Sequence, residues 1–291
     1  MNSAHYAWVP LSNSVLVNGI LHPMESKNEP SSIFPYTGVL VSIIAWASFY
    51  FTLQYHNWRQ TCEWNCRIVT TVHAVVSTVL SYYSSFVVGP NPVKEPGLPI
   101  TQWETNILVI SLGYFSYDLF WCLYHQSEGS LILVHHISSV LCLSYPLSTG
   151  VSAGEVVVSL VVMEITNPVL QLRWFLRETG QKNSRSAKLA DAVFISMFFV
   201  MRMLCGTYML VVVTRHPRPS WTIKMGGTFF MIISYIFMYM IFRYAYRKYV
   251  LRSKRPVPPI AKTSVPEFST TIDSNGVAAS NGVAASNGVA N

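Results

Sequence analysis

The sequence predicts an all-α fold, a polytopic membrane protein that crosses the bilayer about seven times. Hydrophobic residues make up 51% of the 291 residues and charged residues only 11%, about half the charged share of ordinary soluble domains. Several stretches of about twenty residues are almost free of charge, and a helix of that length crosses a hydrocarbon core of ~30 Å. These observations exclude an ordinary soluble fold.

The predicted spans follow from the apolar stretches and from the proline, glycine and charged residues between them. The seven spans are residues 34–55, 67–88, 103–125, 131–147, 155–176, 188–213 and 223–245. Because only residues 126–130 separate the third span from the fourth, these two spans should form an antiparallel hairpin.

The whole chain divides into four parts. Residues 1–32 are a polar leader, and 33–59 hold the first transmembrane helix. Residues 60–250 form one domain of six further spans. Residues 251–291 are a disordered tail, first proline-rich and then built from the near-repeat SNGVAA, which has too little apolar surface to fold by itself.

Lysines and arginines gather at one end of the spans, called the basic end below. Thirteen of them fall at this end, which carries the C-terminus, and five at the other. The positive-inside bias therefore predicts a cytosolic C-terminus. The net charge of +7 then reflects topology and anionic lipid, so we expect membrane lipids as partners and no nucleic acid.

A small set of polar residues interrupts the apolar spans. A charged side chain at the centre of a span costs ~2.5 to 3.5 kcal/mol on insertion scales, so these residues should face the protein interior. At ~1.5 Å per residue, all but Arg202 lie within ~6 to 18 Å of the basic end, and Arg202 lies a little deeper. We therefore expect one polar layer, formed by His73, Asp118, His135, His136, Glu164, Asn167 and Arg202.

Helical spacing adds detail to two of these spans. Asp118 shares one face of the third span with Tyr114 and His125. His135 and His136 are ~100° apart around their helix, so one should point into the site and the other toward a neighbouring helix.

Proline affects the fifth span. Pro168 denies the carbonyl of Glu164 its helical hydrogen bond, so the helix should open there, with Asn167 or water filling the gap.

Polar residues in membranes also serve as contacts between helices, each worth ~0.6 kcal/mol on average. We favour that structural role for His73 alone. Asp118 with the histidine pair favours function, because a buried carboxylate near imidazoles is how acid-base sites are tuned. Two roles remain open for Arg202: it could neutralise Glu164 or Asp118, or it could bind a lipid phosphate.

We expect no metal site and no cofactor. Cys62 and Cys66 have a C-x-x-x-C spacing, but no nearby histidine or cysteine in the sequence completes a set of four ligands.

Two segments, LGYFSYDLFWCLYHQSEGSLILVHH (112–136) and EITNPVLQLRWFLRETG (164–180), resemble the TLC domain family. That family's module is shared by translocon-associated membrane proteins, ceramide synthases and several lipid-regulating proteins. The resemblance covers about residues 60–250 and implies a six-helix barrel open toward the cytosol, in the endoplasmic reticulum or another endomembrane.

The resemblance also implies site residues. In ceramide synthases, paired histidines and a D-x-x-D motif are implicated in acyl transfer from acyl-CoA. His135 and His136 match the histidine pair, and Glu164 with Asn167 falls within one residue of the two aspartates. Glutamate keeps the first acid, whereas asparagine removes the second charge.

Two functions from different classes follow. In the first, acyl-CoA is a substrate, His135 or His136 is the base or nucleophile, and Asp118 or Glu164 orients the imidazole. Lipid or headgroup contacts then come from Asn167, Arg173, Arg177, Arg202 and His73. In the second, the same residues anchor a bound lipid without catalysis, and the protein regulates membrane composition. Transport ranks last, because the half of the spans away from the basic end offers few polar residues.

Overall fold

The computed structural model describes residues 14–17, 20–23 and 35–251. By its contacts the chain divides into two units, Met1–Tyr246 and Arg247–Asn291. Within the predicted leader, β1 (Ser14–Val17) and β2 (Ile20–Pro23) pair antiparallel. The rest of the leader and residues 252–291 of the predicted tail lie outside the described residues.

The described part of the chain holds seven helices that are long and apolar enough to cross a membrane, which confirms the predicted all-α polytopic class. The fifth span is broken between α5 and α6, and a π-helical stretch joins α7 to α8 in the sixth. A second π-helical stretch, Ser84–Val88, extends the second span, and a third is Tyr246–Leu251. The helices are α1 (Tyr36–His56), α2 (Cys62–Tyr83), α3 (Gln102–His125), α4 (Ser130–Thr149), α5 (Ala153–Glu164), α6 (Asn167–Glu178), α7 (Arg185–Phe198), α8 (Gly206–Arg215) and α9 (Trp221–Ala245).

Local chemistry explains where several helices begin and end. Thr101 and Glu104 form a reciprocal capping box at the start of α3, which satisfies two backbone N–H groups that have no helical partner. The hydroxyls of Thr61, Ser184 and Ser220 accept in the same way at the starts of α2, α7 and α9. Gly150, at φ 71°, ends α4 in the left-handed conformation that glycine tolerates.

Six of the seven spans form a closed ring. In order around the ring the neighbours are α2, α3, α4, α9, the α8–α7 span and the α6–α5 span, which returns to α2. This is the predicted six-helix barrel. The first span, α1, packs outside the ring on α3, where Ser42 and Trp46 both donate to the carbonyl of Ile110.

Connecting loops tie the ring together at the end opposite the basic end. The Ile100 N–H donates to the Gly150 carbonyl at 2.8 Å, and the Ser152 N–H donates to the Leu98 carbonyl at 2.9 Å. Gly97, at φ 81°, donates to the Glu155 carboxylate and lies so close to Arg218 that a side chain would clash. The loops before α3, α5 and α9 therefore contact one another.

Candidate functional site

A cavity of about 480 Å³ lies inside the ring, and all six ring spans contribute to its lining. Residues that the sequence placed on separate helices meet here: Asp118, His135, His136, Glu164, Asn167, Arg173, Arg177 and Arg202 all line it. Among the nine predicted site residues, His73 alone lies outside the lining. Apart from His73, the predicted polar layer thus corresponds to one cavity in the described part of the chain.

His136 and Asp118 form a close imidazole–carboxylate pair in the cavity wall. The His136 Nδ1 atom lies 3.3 Å from Asp118 Oδ2, which joins α4 to α3. The thiol of Cys66 on α2 donates to Asp118 Oδ1 at 3.8 Å. Three helices therefore converge on one buried carboxylate.

A second imidazole–carboxylate pair lies behind the lining. His73 Nδ1 is 3.6 Å from Glu164 Oε2, and the His73 side chain is completely buried. Its ring stacks on Tyr114, with 3.7 Å between the ring centroids, and Tyr114 donates to Thr70. His73 therefore does not line the cavity but contacts lining residues, among them Tyr114, Phe115 and Glu164, as the structural role predicted for it would require.

The fifth span breaks at the predicted position, between Glu164 and Asn167. The Asn167 amide does not cap a freed carbonyl, but donates instead to the Glu164 carboxylate at 2.8 Å. The carbonyl of Met163 accepts from the Arg202 guanidinium at 2.9 Å. The Thr166 hydroxyl donates to the same carbonyl at 3.2 Å, so side chains from two spans bind the backbone one residue before Glu164.

Arg202 lies on the π-helical stretch Phe199–Cys205. Such stretches are rare and occur frequently at functional sites. Its guanidinium stacks 5.0 Å from the Phe198 ring and interacts electrostatically with Glu164. Of the two acids left open by the sequence, Glu164 is the one with which Arg202 interacts electrostatically.

The two predicted headgroup arginines differ in their surroundings. Arg173 is buried and donates to Asp191 at 2.6 Å, with its guanidinium 4.3 Å from the Phe194 ring. Arg177 is exposed and lines the cavity at the basic end. Arg177 is therefore the more accessible of the two to a phosphate.

A polar cluster at the same end was not predicted from the sequence, where Arg67 counted only as one of the basic residues that indicate topology. Arg67 pairs with Glu63 at 2.7 Å and Glu128 at 3.4 Å, and donates to Gln171. All of these residues line the cavity. Glu128 lies in the short connection between two spans, and its burial raises the pKa of its carboxyl above the ordinary value. Arg67 and Glu128 are 61 residues apart, so their positions in the sequence do not indicate that they are in contact.

His135 borders a second, apolar pocket of about 110 Å³ as well as the cavity. Its ring packs edge-on against Phe230 and Phe237 of α9. Both paired histidines line the cavity, and His135 also contacts a neighbouring helix, as was predicted for one member of the pair. The wide cavity lets two faces of α4 contribute.

The shared helical face predicted for span three does not bring His125 into the site. His125 is exposed and packs on Trp121, with 4.4 Å between the ring centroids. It is absent from the cavity lining among the described residues, since the last turn of α3 extends beyond the ring interior.

One group of side chains in the cavity wall has the composition of a metal-ligand set. One donor atom from each of Asp118, Cys122 and His136 lies within 4.8 Å of the others. The sequence expectation of no metal considered only the spacing of Cys62 and Cys66, and Cys122 was not singled out. Two helices supply these three residues, so spacing along the chain does not reveal the group.

Comparisons with known proteins agree with this architecture. TLC domain-containing protein 4-B of Danio rerio is 26% identical over 147 residues, which are 48% of this chain and 53% of that protein. TLC domain-containing protein 2 of Homo sapiens is 25% identical over 178 residues, 58% of this chain and 65% of that protein. The matches thus span between about half and two thirds of these relatives. A family model described as TLC domain matches residues 63–249. That match covers most of the chain and all six spans of the ring, and the chain belongs to the TLC domain family.

Proposed function

We propose that this protein acts in lipid metabolism, transferring an acyl group from acyl-CoA to an amine or hydroxyl of a membrane lipid inside the ring. The observation that carries the proposal is the position of His135, which borders both the polar cavity and the apolar pocket. An acyl tail in the apolar pocket would hold its reacting carbonyl beside this imidazole. Phe115 and Glu164 border both spaces too.

The charges at the basic end suit a donor that carries phosphates. Arg177 lines the cavity and is exposed, and Arg67 lies on the same wall, with its guanidinium 4.9 Å from the Trp174 ring. Arginine binds phosphate in a forked, charge-assisted geometry. The CoA portion or a phospholipid headgroup would therefore occupy this end, with the acyl chain directed inward.

The chemistry assigned to His135 is general-base catalysis. Its Nδ1 atom has no hydrogen-bond partner among the described residues, so this nitrogen can accept a hydrogen bond from the acceptor's amine or hydroxyl. The acceptor nitrogen or oxygen would attack the thioester carbonyl and lose its proton to His135. The carbon–sulfur bond would then break, and the CoA sulfur would receive that proton as the thiol leaves.

Neighbouring pairs hold the other polar groups in fixed positions. Asp118 orients His136, and Glu164 is held by Asn167 and lies beside His73. Arg202 fixes the broken helix that carries Glu164. In this scheme the predicted lipid contacts Asn167, Arg173, Arg202 and His73 position the cavity wall, while Arg177 contacts the ligand.

The second candidate is a lipid-binding regulator of membrane composition without turnover. Two observations favour it. Both intramembrane acids of the cavity, Asp118 and Glu164, already contact protein groups. By resemblance, Asn167 lies near the position of the second aspartate in the D-x-x-D motif of ceramide synthases. It predicts lipid that copurifies with the protein and no change in that lipid when acyl-CoA is added.

The test is acyl transfer by the purified full-length chain supplied with labelled acyl-CoA and either a sphingoid amine or a lysolipid. Turnover should fall at least a hundredfold in His135→Ala, because general-base catalysis contributes about 10² to 10⁴. His125→Ala, outside the cavity, is the matched control and should retain turnover. No turnover by the unaltered chain, or turnover unchanged in a His135→Ala, His136→Ala double variant, contradicts the proposal.

We also propose that the basic end and the C-terminus lie in the cytosol and that the membrane is the endoplasmic reticulum or another endomembrane. The charge bias supports the orientation, and a cytosolic mouth would give acyl-CoA access. Protease treatment of intact microsomes should remove a C-terminal tag. Protection of that tag from the protease would show that the C-terminus lies on the lumenal side and would contradict the proposed orientation.

A further inference from the structure

We propose that Asp118, Cys122 and His136 bind a zinc ion in the wall of the cavity. One donor atom from each residue lies within 4.8 Å of the others. All three residues line the cavity, so an ion has a path to them. This inference does not depend on acyl transfer, since a lipid-binding protein without turnover could hold the same ion.

The helices bring the three donors together. Asp118 and Cys122 are four residues apart on α3, and such residues share one face of a helix. His136 lies on α4, which packs antiparallel to α3 after a short connection. Two ligands one helical turn apart and a third from a neighbouring helix form a compact, rigidly supported set.

The distances suit tetrahedral zinc. Zinc–ligand bonds of ~2.0 to 2.3 Å place neighbouring donor atoms ~3.3 to 3.8 Å apart. His136 Nδ1 and Asp118 Oδ2 are already 3.3 Å apart. The wider separations, up to 4.8 Å, need a shift of about 1 Å, which rotation of the Cys122 side chain can supply.

Charge balance points to a cation at this position. Asp191 has an arginine partner, and Glu164 lies near Arg202. In the described part of the chain, no lysine or arginine forms an ion pair with Asp118. Its carboxylate lies beside the His136 imidazole, accepts from the weak thiol donor of Cys66 and interacts electrostatically with His73. A divalent ion would neutralise one carboxylate and one thiolate inside a span.

The ligand types select the metal. A thiolate and an imidazole favour zinc over magnesium or calcium, which prefer oxygen ligands. Three protein ligands leave the fourth position open toward the cavity. Sites with an open position are typical of catalytic rather than structural zinc, so a bound water or a lipid oxygen would complete the coordination.

The test is the metal content of the full-length chain, purified in detergent without chelators or a polyhistidine tag. Elemental mass spectrometry should find close to one zinc per chain. Cys122→Ala and His136→Ala should each lower that content at least tenfold, while Cys205→Ala, which removes a cysteine from the sixth span, should retain it. Equal elution volumes in size exclusion show that the variants are folded.

Cobalt substitution tests the ligands in the unaltered chain, which avoids any doubt about folding. Cobalt bound through Cys122 should produce a thiolate-to-metal charge-transfer band in the near ultraviolet, and zinc should abolish it. A chain with no zinc and no such band overturns the inference, as does zinc that survives in both variants. Zinc bound by a chain without turnover sustains this inference while contradicting acyl transfer.

Discussion

The Nδ1 atom of His136 lies 3.3 Å from a carboxylate oxygen of Asp118, across the interface between α3 and α4. A similar pair, His73 and Glu164, lies 3.6 Å apart between α2 and α5. Both acids are in membrane spans, where an exposed carboxylate is costly. The two pairs therefore position imidazoles and also join neighbouring helices of the ring.

Energetic coupling between Asp118 and His136 follows from this contact. Residues in contact couple by about 0.5 to 3 kcal/mol, so the double variant Asp118→Asn, His136→Gln should be less destabilised than the sum of the single variants. Thermal melts in detergent provide the measurement. When exposed His125→Gln replaces His136→Gln in the cycle, the effects on stability should be additive. Additive effects in both cycles would show that Asp118 and His136 are not in contact.

The buried ion pair between Arg173 and Asp191 should dominate the stability of the α6–α7 hairpin. Arg173→Met removes a guanidinium that donates to a buried carboxylate at 2.6 Å and should lower stability by about 3 to 5 kcal/mol. Arg177→Met, one helical turn away and exposed, should change the melting temperature little. Equal melting temperatures for the two variants would show that the pair is not formed.

Close packing of α1 on α3 depends on Gly113. A Cβ atom there would overlap the side chain of Ser42, and small residues are what allow helices to approach closely in membranes. Gly113→Val should therefore destabilise the protein by about 1 to 3 kcal/mol. Gly226→Val places the same side chain in open space on α9 and should have a much smaller effect. Cross-linking between α1 and α3 should fall only in the Gly113 variant.

Glu128 should make stability depend on pH. Burial raises the pKa of its carboxyl, so the unfolded chain ionises this group at lower pH than the folded protein does. The stability that it contributes is present below its ordinary pKa and is lost as pH rises toward the raised value. Glu128→Gln should therefore stabilise the protein more at neutral than at acid pH.

Thermal melts across that range provide the measurement, with Glu95→Gln in an exposed loop as the control. A difference between Glu128→Gln and the unaltered chain that is independent of pH would contradict the shift.

The spans were predictable because their signals are local. Apolar length and the proline, glycine and charged residues between the stretches define each span, and Pro168 marks the break in the fifth span. Residue depth likewise predicted that Asp118 and Glu164 would share a layer. Depth along a helix needs only a count of residues from its charged end.

The partners within that layer were not predictable. Which imidazole meets which carboxylate depends on how each helix is rotated in the ring, and sequence spacing does not fix that rotation between helices. Arg173 illustrates the point, because its partner Asp191 belongs to the next helix. Cys122 gave no signal, since a cysteine is unremarkable in an apolar span.

The most direct test of the proposed lipid function is the amount of lipid that remains bound when the apolar pocket is filled. Gly227 lines that pocket, and a Cβ there would lie 3.3 Å from Leu210, whereas adjacent Gly226 faces open space. Lipid extracted from purified Gly227→Phe should fall at least fivefold per chain relative to the unaltered protein, while Gly226→Phe should match it. Equal bound lipid in the two variants would contradict an acyl chain in this pocket.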